Sequence, residues 1–259
     1  MKLFHYEGME KAFDAATGKD VRIAIVDSGI DSSHPSLGKS VKGGVDIEMI
    51  SGKVITKPCS YVDAYGHGTA CAGIIKEIAP EVELYSVKVL GSDLGGSGHV
   101  FLAGLKWAIE NDMQIINLSL GTTNMEYFGR LHQLADKAYY KGTVLVAAAN
   151  NSLPPSVPSI FASLISVKNM RVRDKLDFRF LSNNPIELGA LGTEVRAPWL
   201  NQTYRTLTGT SFATPHITGI VARILSICRG ITPFEMKAIL LQMTKDKELE
   251  QDRTGTLSV

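Results

Sequence analysis

The sequence predicts an α/β protein: a mainly parallel, twisted sheet covered by helices on both faces, in a three-layer α/β/α arrangement. Three observations predict it. Short apolar runs rich in β-branched residues alternate with helix-length patterns, as in parallel strands joined by crossover helices. The chain has 259 residues, 44% hydrophobic and 20% charged, enough to bury one such core. The residues best suited to chemistry fall at strand ends and helix starts, where open α/β sheets bind ligands.

The elements follow in order. Val21-Arg22-Ile23-Ala24-Ile25-Val26 reads as a buried strand that delivers Asp27 at its carboxyl end. Residues 82–89, 114–118, 143–149 and 164–168 read as further strands. Between them, 67–78 is Ala/Gly-rich and helical, ending before Pro80, and 100–110 is amphipathic. Residues 127–140 place Leu131, Leu134, Ala135 and Ala138 on one helix face. Residues 211–228 form a long, largely apolar and therefore central helix. A last helix, 234–243, starts from Thr232-Pro233, a cap followed by proline in the first turn. Residues 1–20 precede the first strand, 21–243 form one domain, and 244–259 read as a polar, loose tail.

Composition narrows the function classes. A formal net charge of +1 gives no global attraction to nucleic acid or to an anionic membrane. No apolar run reaches the roughly 18 residues that a membrane-spanning helix needs. The three cysteines, Cys59, Cys71 and Cys228, lack CxxC spacing and read as free thiols rather than a disulfide or zinc framework. Met1-Lys2-Leu3-Phe4-His5-Tyr6-Glu7 lacks an apolar signal core. Together these predict a cytoplasmic protein, with a secreted mature form as the alternative.

Three segments supply an acid, a base and a nucleophile: Asp27-Ser28-Gly29, Gly66-His67-Gly68-Thr69 and Gly209-Thr210-Ser211-Phe212-Ala213-Thr214-Pro215. Ser211 opens a helix, where unpaired N–H groups and the dipole favour developing negative charge. His67 has the one side chain whose ordinary pKa suits proton shuttling near neutrality, and its flanking glycines leave the ring room. Asp27 would fix the histidine tautomer and stabilise the imidazolium. Taken singly, each has a plainer reading: a helix cap, a structural histidine, a turn aspartate. Asp31 is a rival acid, ranked lower because it lies past the strand end. His5, His34, His99, His132 and His216 lack the paired glycines and are assigned no catalysis.

These segments carry a resemblance. Val26-Asp27-Ser28-Gly29-Ile30-Asp31 with His34-Pro35, Gly66-His67-Gly68-Thr69, and Gly209 through His216 resemble the aspartate, histidine and serine motifs of subtilisin-like serine proteases, the subtilases. The similarity extends to Ile116-Asn117-Leu118-Ser119-Leu120-Gly121 and covers roughly residues 20–243. It implies a subtilisin-like fold and peptide-bond hydrolysis through an acyl-enzyme. In that family a strand ends in Ala-Ala-Gly-Asn, whose asparagine donates to the oxyanion. Ala148-Ala149-Asn150-Asn151 places Asn151 there, with Asn150 replacing the glycine and able to exchange roles with it. The Ser211 N–H is the implied second donor.

The resemblance also implies substrate contacts. An extended peptide would add as a strand between Gly95-Gly96-Ser97-Gly98 and Ser119-Leu120-Gly121, and Ala148 and Asn150 would line the pocket before the scissile bond. Asn150 adds bulk and an amide, and the proline-rich Ser152-Leu153-Pro154-Pro155-Ser156-Val157-Pro158 follows, which predicts a narrow, selective pocket. The calcium loop of many relatives is shortened to Gly73 through Pro80, so no metal and no cofactor are expected. Cys71, one helical turn after His67, reads either as a reactive thiol beside the imidazole or as an inert buried one. The reading is a processing endopeptidase for a peptide or protein precursor. The alternatives are a silent peptide-binding relative and a transpeptidase or cyclase. Leu3, Phe4 and Tyr6 offer an apolar patch able to occupy the cleft.

Overall fold

β1 (Arg22–Asp27) is an interior strand of the main sheet. Ile23, Ala24, Ile25 and Val26 are wholly buried, as a parallel strand covered on both faces requires. In the computed structural model, residues 6–253 are described, Arg173 and Asn183 excepted, and for 6–10 and 245–253 only the backbone is. The expected cleft-filling patch of Leu3, Phe4 and the Tyr6 side chain lies outside the described residues, as do residues 254–259.

Ahead of β1 stands helix α1 (Tyr6–Ala15). After it come β2 (Val41–Ile50), β3 (Lys53–Pro58), α2 (His67–Ile78), β4 (Glu83–Lys88), α3 (Gly98–Glu110) and β5 (Ile115–Leu118). A 3-10 turn leads into α4 (Phe128–Lys141), followed by β6 (Val144–Ala148), β7 (Ile165–Met170), β8 (Phe178–Phe180) and β9 (Leu188–Leu191). β10 (Val195–Trp199) and β11 (Thr203–Leu207) precede α5 (Thr210–Ile227) and α6 (Pro233–Arg253).

The main sheet runs β3-β2-β4-β1-β5-β6-β7-β9-β8. Its neighbours from β2 to β9 are parallel, and β3 and β8 close the edges antiparallel. One face packs on α2, α5 and α6 through Cys71, Ile75, Ile217, Ile220, Met236 and Leu240. The other packs on α3 and α4 through Phe101, Leu105, Ile109, Leu131 and Ala135. This is the expected three-layer α/β/α fold. Chain connection reverses around β1, so the loops after β1, β4, β5 and β6 converge at one carboxyl edge.

Two boundaries differ from expectation. The charged segment read as a loose tail continues α6 to Arg253. Lys, Glu and Gln are good helix formers, and polarity alone does not end a helix. Ahead of β1, α1 is docked on α5: buried Arg223 donates from Nη2 to the carbonyls of Phe13 (2.6 Å) and Asp14 (2.7 Å), the last turn of α1. The β2–β3 and β10–β11 hairpins were not legible as strands from apolar runs, because their exposed faces are charged.

Candidate active site

Asp27, at the end of β1, is wholly buried, and its Oδ1 accepts from the Ser28 N–H at 2.7 Å. Its two oxygens lie 2.8 and 2.9 Å from His67 Nδ1. A buried carboxylate astride Nδ1 fixes the proton there and leaves Nε2 as the acceptor. Burial pulls the His67 imidazole down, but the charge of Asp27, its hydrogen bond and the charge of Asp63 outweigh that and leave it above the ordinary 6.5.

The glycines around His67 serve the backbone rather than the ring. Gly66 caps α2 at φ 111°, and a Cβ there would meet the Trp199 indole at 2.6 Å. A Cβ on Gly68 would lie 2.0 Å from the Gly29 carbonyl oxygen, so this glycine lets α2 start against the end of β1. Gly66 offers no side-chain cap, and a residue that sequence reasoning passed over supplies one. The buried Asp63 carboxylate accepts from the N–H groups of Tyr65, Gly66 and Thr69 at 2.8–2.9 Å. It also accepts from Ser28 Oγ (2.7 Å) and Thr69 Oγ1 (2.6 Å). The spacing of an aspartate three residues before a helix-opening glycine was the available signal.

Ser211 is the second residue of α5, so its N–H is among the orphan donors of the helix start. Its Oγ donates to the Ser119 carbonyl at 3.1 Å. Pro215 lies past the first turn, so its missing N–H does free a carbonyl, that of Ser211. Ser119 Oγ donates to that carbonyl at 2.9 Å, and Ser119 Oγ is held in turn by Asn117 Nδ2 at 3.0 Å. Thr218 Oγ1 donates to Asn117 Oδ1 at 2.9 Å, so one buried chain ties the middle of α5 to β5 and the serine.

The tandem asparagines point differently. Asn151 Oδ1 accepts from the Thr210 N–H at 3.1 Å, which leaves its Nδ2 as a donor beside the residue before Ser211. Asn150 Nδ2 donates to the Pro154 carbonyl at 2.8 Å, within the following loop. Ala148 is buried at the end of β6.

His67 and Ser211 line one cleft of about 260 Å³ with Gly96, Ser97, Gly98, Ser119, Leu120 and Gly121. Leu90, Leu94, Phe101 and Thr122 complete its wall. Gly95 lines the adjoining groove, and its main chain is spent in a turn: the N–H donates to Asp93 Oδ1 and the carbonyl accepts from Gly91, at 2.8 and 2.9 Å. Gly98 starts α3 under the Tyr127 ring, 2.3 Å from where a Cβ would stand. Ala148, Asn150 and Asn151 do not line this cleft.

Cys71 is wholly buried, with Sγ 3.9 Å from Asp27 Oδ2 and 3.5 Å from the Ser211 carbonyl. Burial and the Asp27 charge push its thiol well above the ordinary range, which favours the inert reading. Among the described residues, Asp27, His67 and Cys71 are the one group with metal-ligand proximity, and the Asp27–His67 bond already occupies it. His216 Nδ1 is 2.8 Å from the Phe212 carbonyl, and burial holds its ring below the ordinary value, so it is structural. Asp31 accepts from the Ser33 N–H and hydroxyl, and its backbone N–H donates to Thr69 Oγ1, so its bonds are spent in the turn after β1.

Fold and site define a class: a doubly covered parallel sheet whose carboxyl edge carries a buried Asp–His couple beside a helix-opening serine. The model of the subtilase family matches residues 18–256, and the chain belongs to that family. It is 37% identical over 218 residues to the minor extracellular protease Epr of Bacillus subtilis (strain 168), covering 80% of this chain and 32% of that protein. It is 31% identical over 249 residues to thermitase of Thermoactinomyces vulgaris, covering 92% and 85%. With subtilisin E of Bacillus subtilis (strain 168) it shares 34% over 225 residues, and spans 56% of that protein. The crystal structure of a cold-adapted subtilisin-like serine proteinase shares the fold, with a TM-score of 0.75 and 24% identity over 88% of this chain and 83% of that one. The chain thus spans a third to about half the length of several relatives. Among the described residues no helix is long and apolar enough to cross a membrane.

Proposed function

We propose that the protein is a serine endopeptidase acting on a peptide or protein through an acyl-enzyme. The observation that carries this reading is the Asp27 carboxylate astride His67 Nδ1, with the His67 ring and Ser211 sharing one cleft. His67 Nε2 takes the Ser211 proton as Oγ turns from the Ser119 carbonyl and attacks the scissile carbonyl. Asn151 Nδ2 and the Ser211 N–H hold the oxyanion. His67 returns the proton to the leaving amine, and water, deprotonated by His67, releases the acid.

The main chain of Gly96 and Ser97 on one side and of Ser119 to Gly121 on the other brackets the peptide as an added strand. Gly95 supports that edge through its turn, and Gly98 gives way to Tyr127. Ala148 and Asn150 shape the pocket for the residue before the cut, Asn150 from behind through its bond to Pro154. The role is selective maturation of a precursor in the cytoplasm, supported by three unpaired cysteines. Neither nucleic acid nor membrane is a partner in this reading, and the chemistry draws on side chains and backbone alone. Cell fractionation that recovered the protein from the medium would contradict the location.

A peptide-library digest compared between the wild type and Ser211→Ala tests the reading. The expected result is a few strongly preferred sequences cut only by the wild type. Broad cleavage after large apolar residues would overturn the selective role, and no Ser211-dependent cleavage would overturn hydrolysis.

A further inference from the structure

The β10–β11 hairpin carries a surface that the hydrolytic reading leaves unused. Val195, Ala197 and Trp199 pack with Ala70 and Ile74 of α2 and with Phe212 of α5. Phe212 follows the nucleophile and lies 5.2 Å from the His67 ring. The Trp199 indole lies against Gly66, the residue before His67, and meets the Tyr65 ring edge-on at 5.6 Å. The Arg205 guanidinium lies over the Trp199 ring at 4.7 Å and is exposed. An aromatic path therefore leads from the catalytic ring outward to a cation.

Among the described residues that cation is in no ion pair. Among the described residues, the arginines in ion pairs are Arg171 with Glu194 and Arg229 with Asp20. A guanidinium stacked on an indole keeps its N–H edges open and pre-set in plane, the geometry that receives a carboxylate in bidentate fashion.

Position decides which part of a substrate meets it. The Gly96–Ser97 edge precedes α3 and belongs to the α3/α4 layer, whereas β10–β11 packs on α2 in the opposite layer. His67 and Ser211 stand between these two surfaces, so a peptide clamped on the α3 side with its carbonyl at Ser211 would carry its leaving half toward α2 and the hairpin. An extended chain advances about 3.3 Å per residue, so the second and third residues past the cut reach roughly 7–10 Å beyond Ser211.

We propose that Trp199 and Arg205 form a leaving-group-side subsite that takes an acidic side chain at the second or third residue after the scissile bond. The proposal rests on the hydrolytic reading and names part of its substrate. Arg196 provides an internal control. Ala197 pairs with Arg205, so Arg196, one residue along β10, projects from the other face, stacked on Tyr204 at 4.1 Å.

The test uses quenched peptides that differ only by Glu or Lys at those two positions, with a p-nitroanilide of the same acyl half, which has no residue past the cut. The expected result is roughly fivefold higher kcat/KM for the Glu peptide, the scale of an exposed ion pair. The ratio should shrink in about 1 M NaCl, invert in Arg205→Glu and persist in Arg196→Glu. Turnover of the anilide by Arg205→Glu shows that this variant is folded. Equal rates for the Glu and Lys peptides, or equal effects of the two arginine variants, with the anilide still cleaved, would overturn the subsite alone. No turnover of any substrate by the wild type would overturn the hydrolytic reading and the subsite with it.

Discussion

At the scale of single residues, the site is a set of polar atoms whose partners leave few free valences. Asp27 spends both oxygens on His67 and Ser28, and Ser211 parks its hydroxyl on Ser119. Asn151 has its oxygen engaged by the Thr210 N–H, which sets its side-chain amide beside the start of α5. Replacing a side-chain oxyanion donor in a subtilisin costs about 3–4 kcal/mol, a magnitude taken from that general precedent. Asn151→Ala should therefore lower kcat by about 100-fold or more with KM little changed. Asn150→Ala should keep kcat within a few-fold and alter KM and sequence preference. Steady-state kinetics on one peptide separate the two. A larger kcat loss in Asn150→Ala would exchange their roles.

The residues proposed as acid, base and nucleophile stood out in the sequence, because each sits in a motif whose neighbours are constrained by backbone geometry. The reason for those neighbours did not. Gly66 and Gly68 read as room for a ring, yet they answer to Trp199 and to the Gly29 carbonyl, both remote in sequence. The tandem asparagines read alike in sequence; in the fold Asn151 meets the distant Thr210 while Asn150 turns to the nearby Pro154.

At the scale of elements, the helix starts that hold His67 and Ser211 need help to form. α2 begins on a glycine, and Asp63 substitutes for the missing cap with five donors gathered on one carboxylate. Its negative charge also raises His67. In the proposed mechanism His67 acts as a neutral base, so kcat/KM should rise with pH through a midpoint above the ordinary 6.5. Asp63→Asn removes the charge, and the midpoint should move to lower pH, read from kcat/KM profiles. A loss of thermal stability alone, with an unmoved midpoint, would reduce Asp63 to a structural cap. α5 shows the same economy: Pro215 releases the Ser211 carbonyl, and Ser119, Asn117 and Thr218 take it up.

Elements differ in how plainly the sequence announced them. The central strands are continuous apolar runs because both faces are buried, and they stand within a residue or two of expectation. The β2–β3 hairpin is half exposed, and its charged residues hid it, although Ser51-Gly52, both at positive φ, is a tight-turn signal. α6 outran its expected end because its Lys, Glu and Gln residues are good helix formers, and polarity alone does not end a helix.

At the scale of the whole molecule, the sheet divides the protein into two helical layers with distinct duties. The α3/α4 layer presents the Gly96–Ser97 edge, and the α2/α5 layer holds His67, Ser211 and the β10–β11 hairpin. The cleft is walled by both layers, Gly96 and Phe101 on one side and His67 and Ser211 on the other, and in the proposed reading both take part in substrate selection. Nothing in the sequence alone joined residues 195–207 to the site, since their proximity is a product of packing on α2.

The central claim is that Asp27, His67 and Ser211 act as one nucleophilic unit. It is tested most directly by treating the folded protein with a fluorophosphonate and mapping the adduct by mass spectrometry. The account predicts a single adduct on Ser211, abolished in His67→Ala and in heat-unfolded protein. Absence of labelling in the folded wild type, or labelling that survives His67→Ala undiminished, would contradict it.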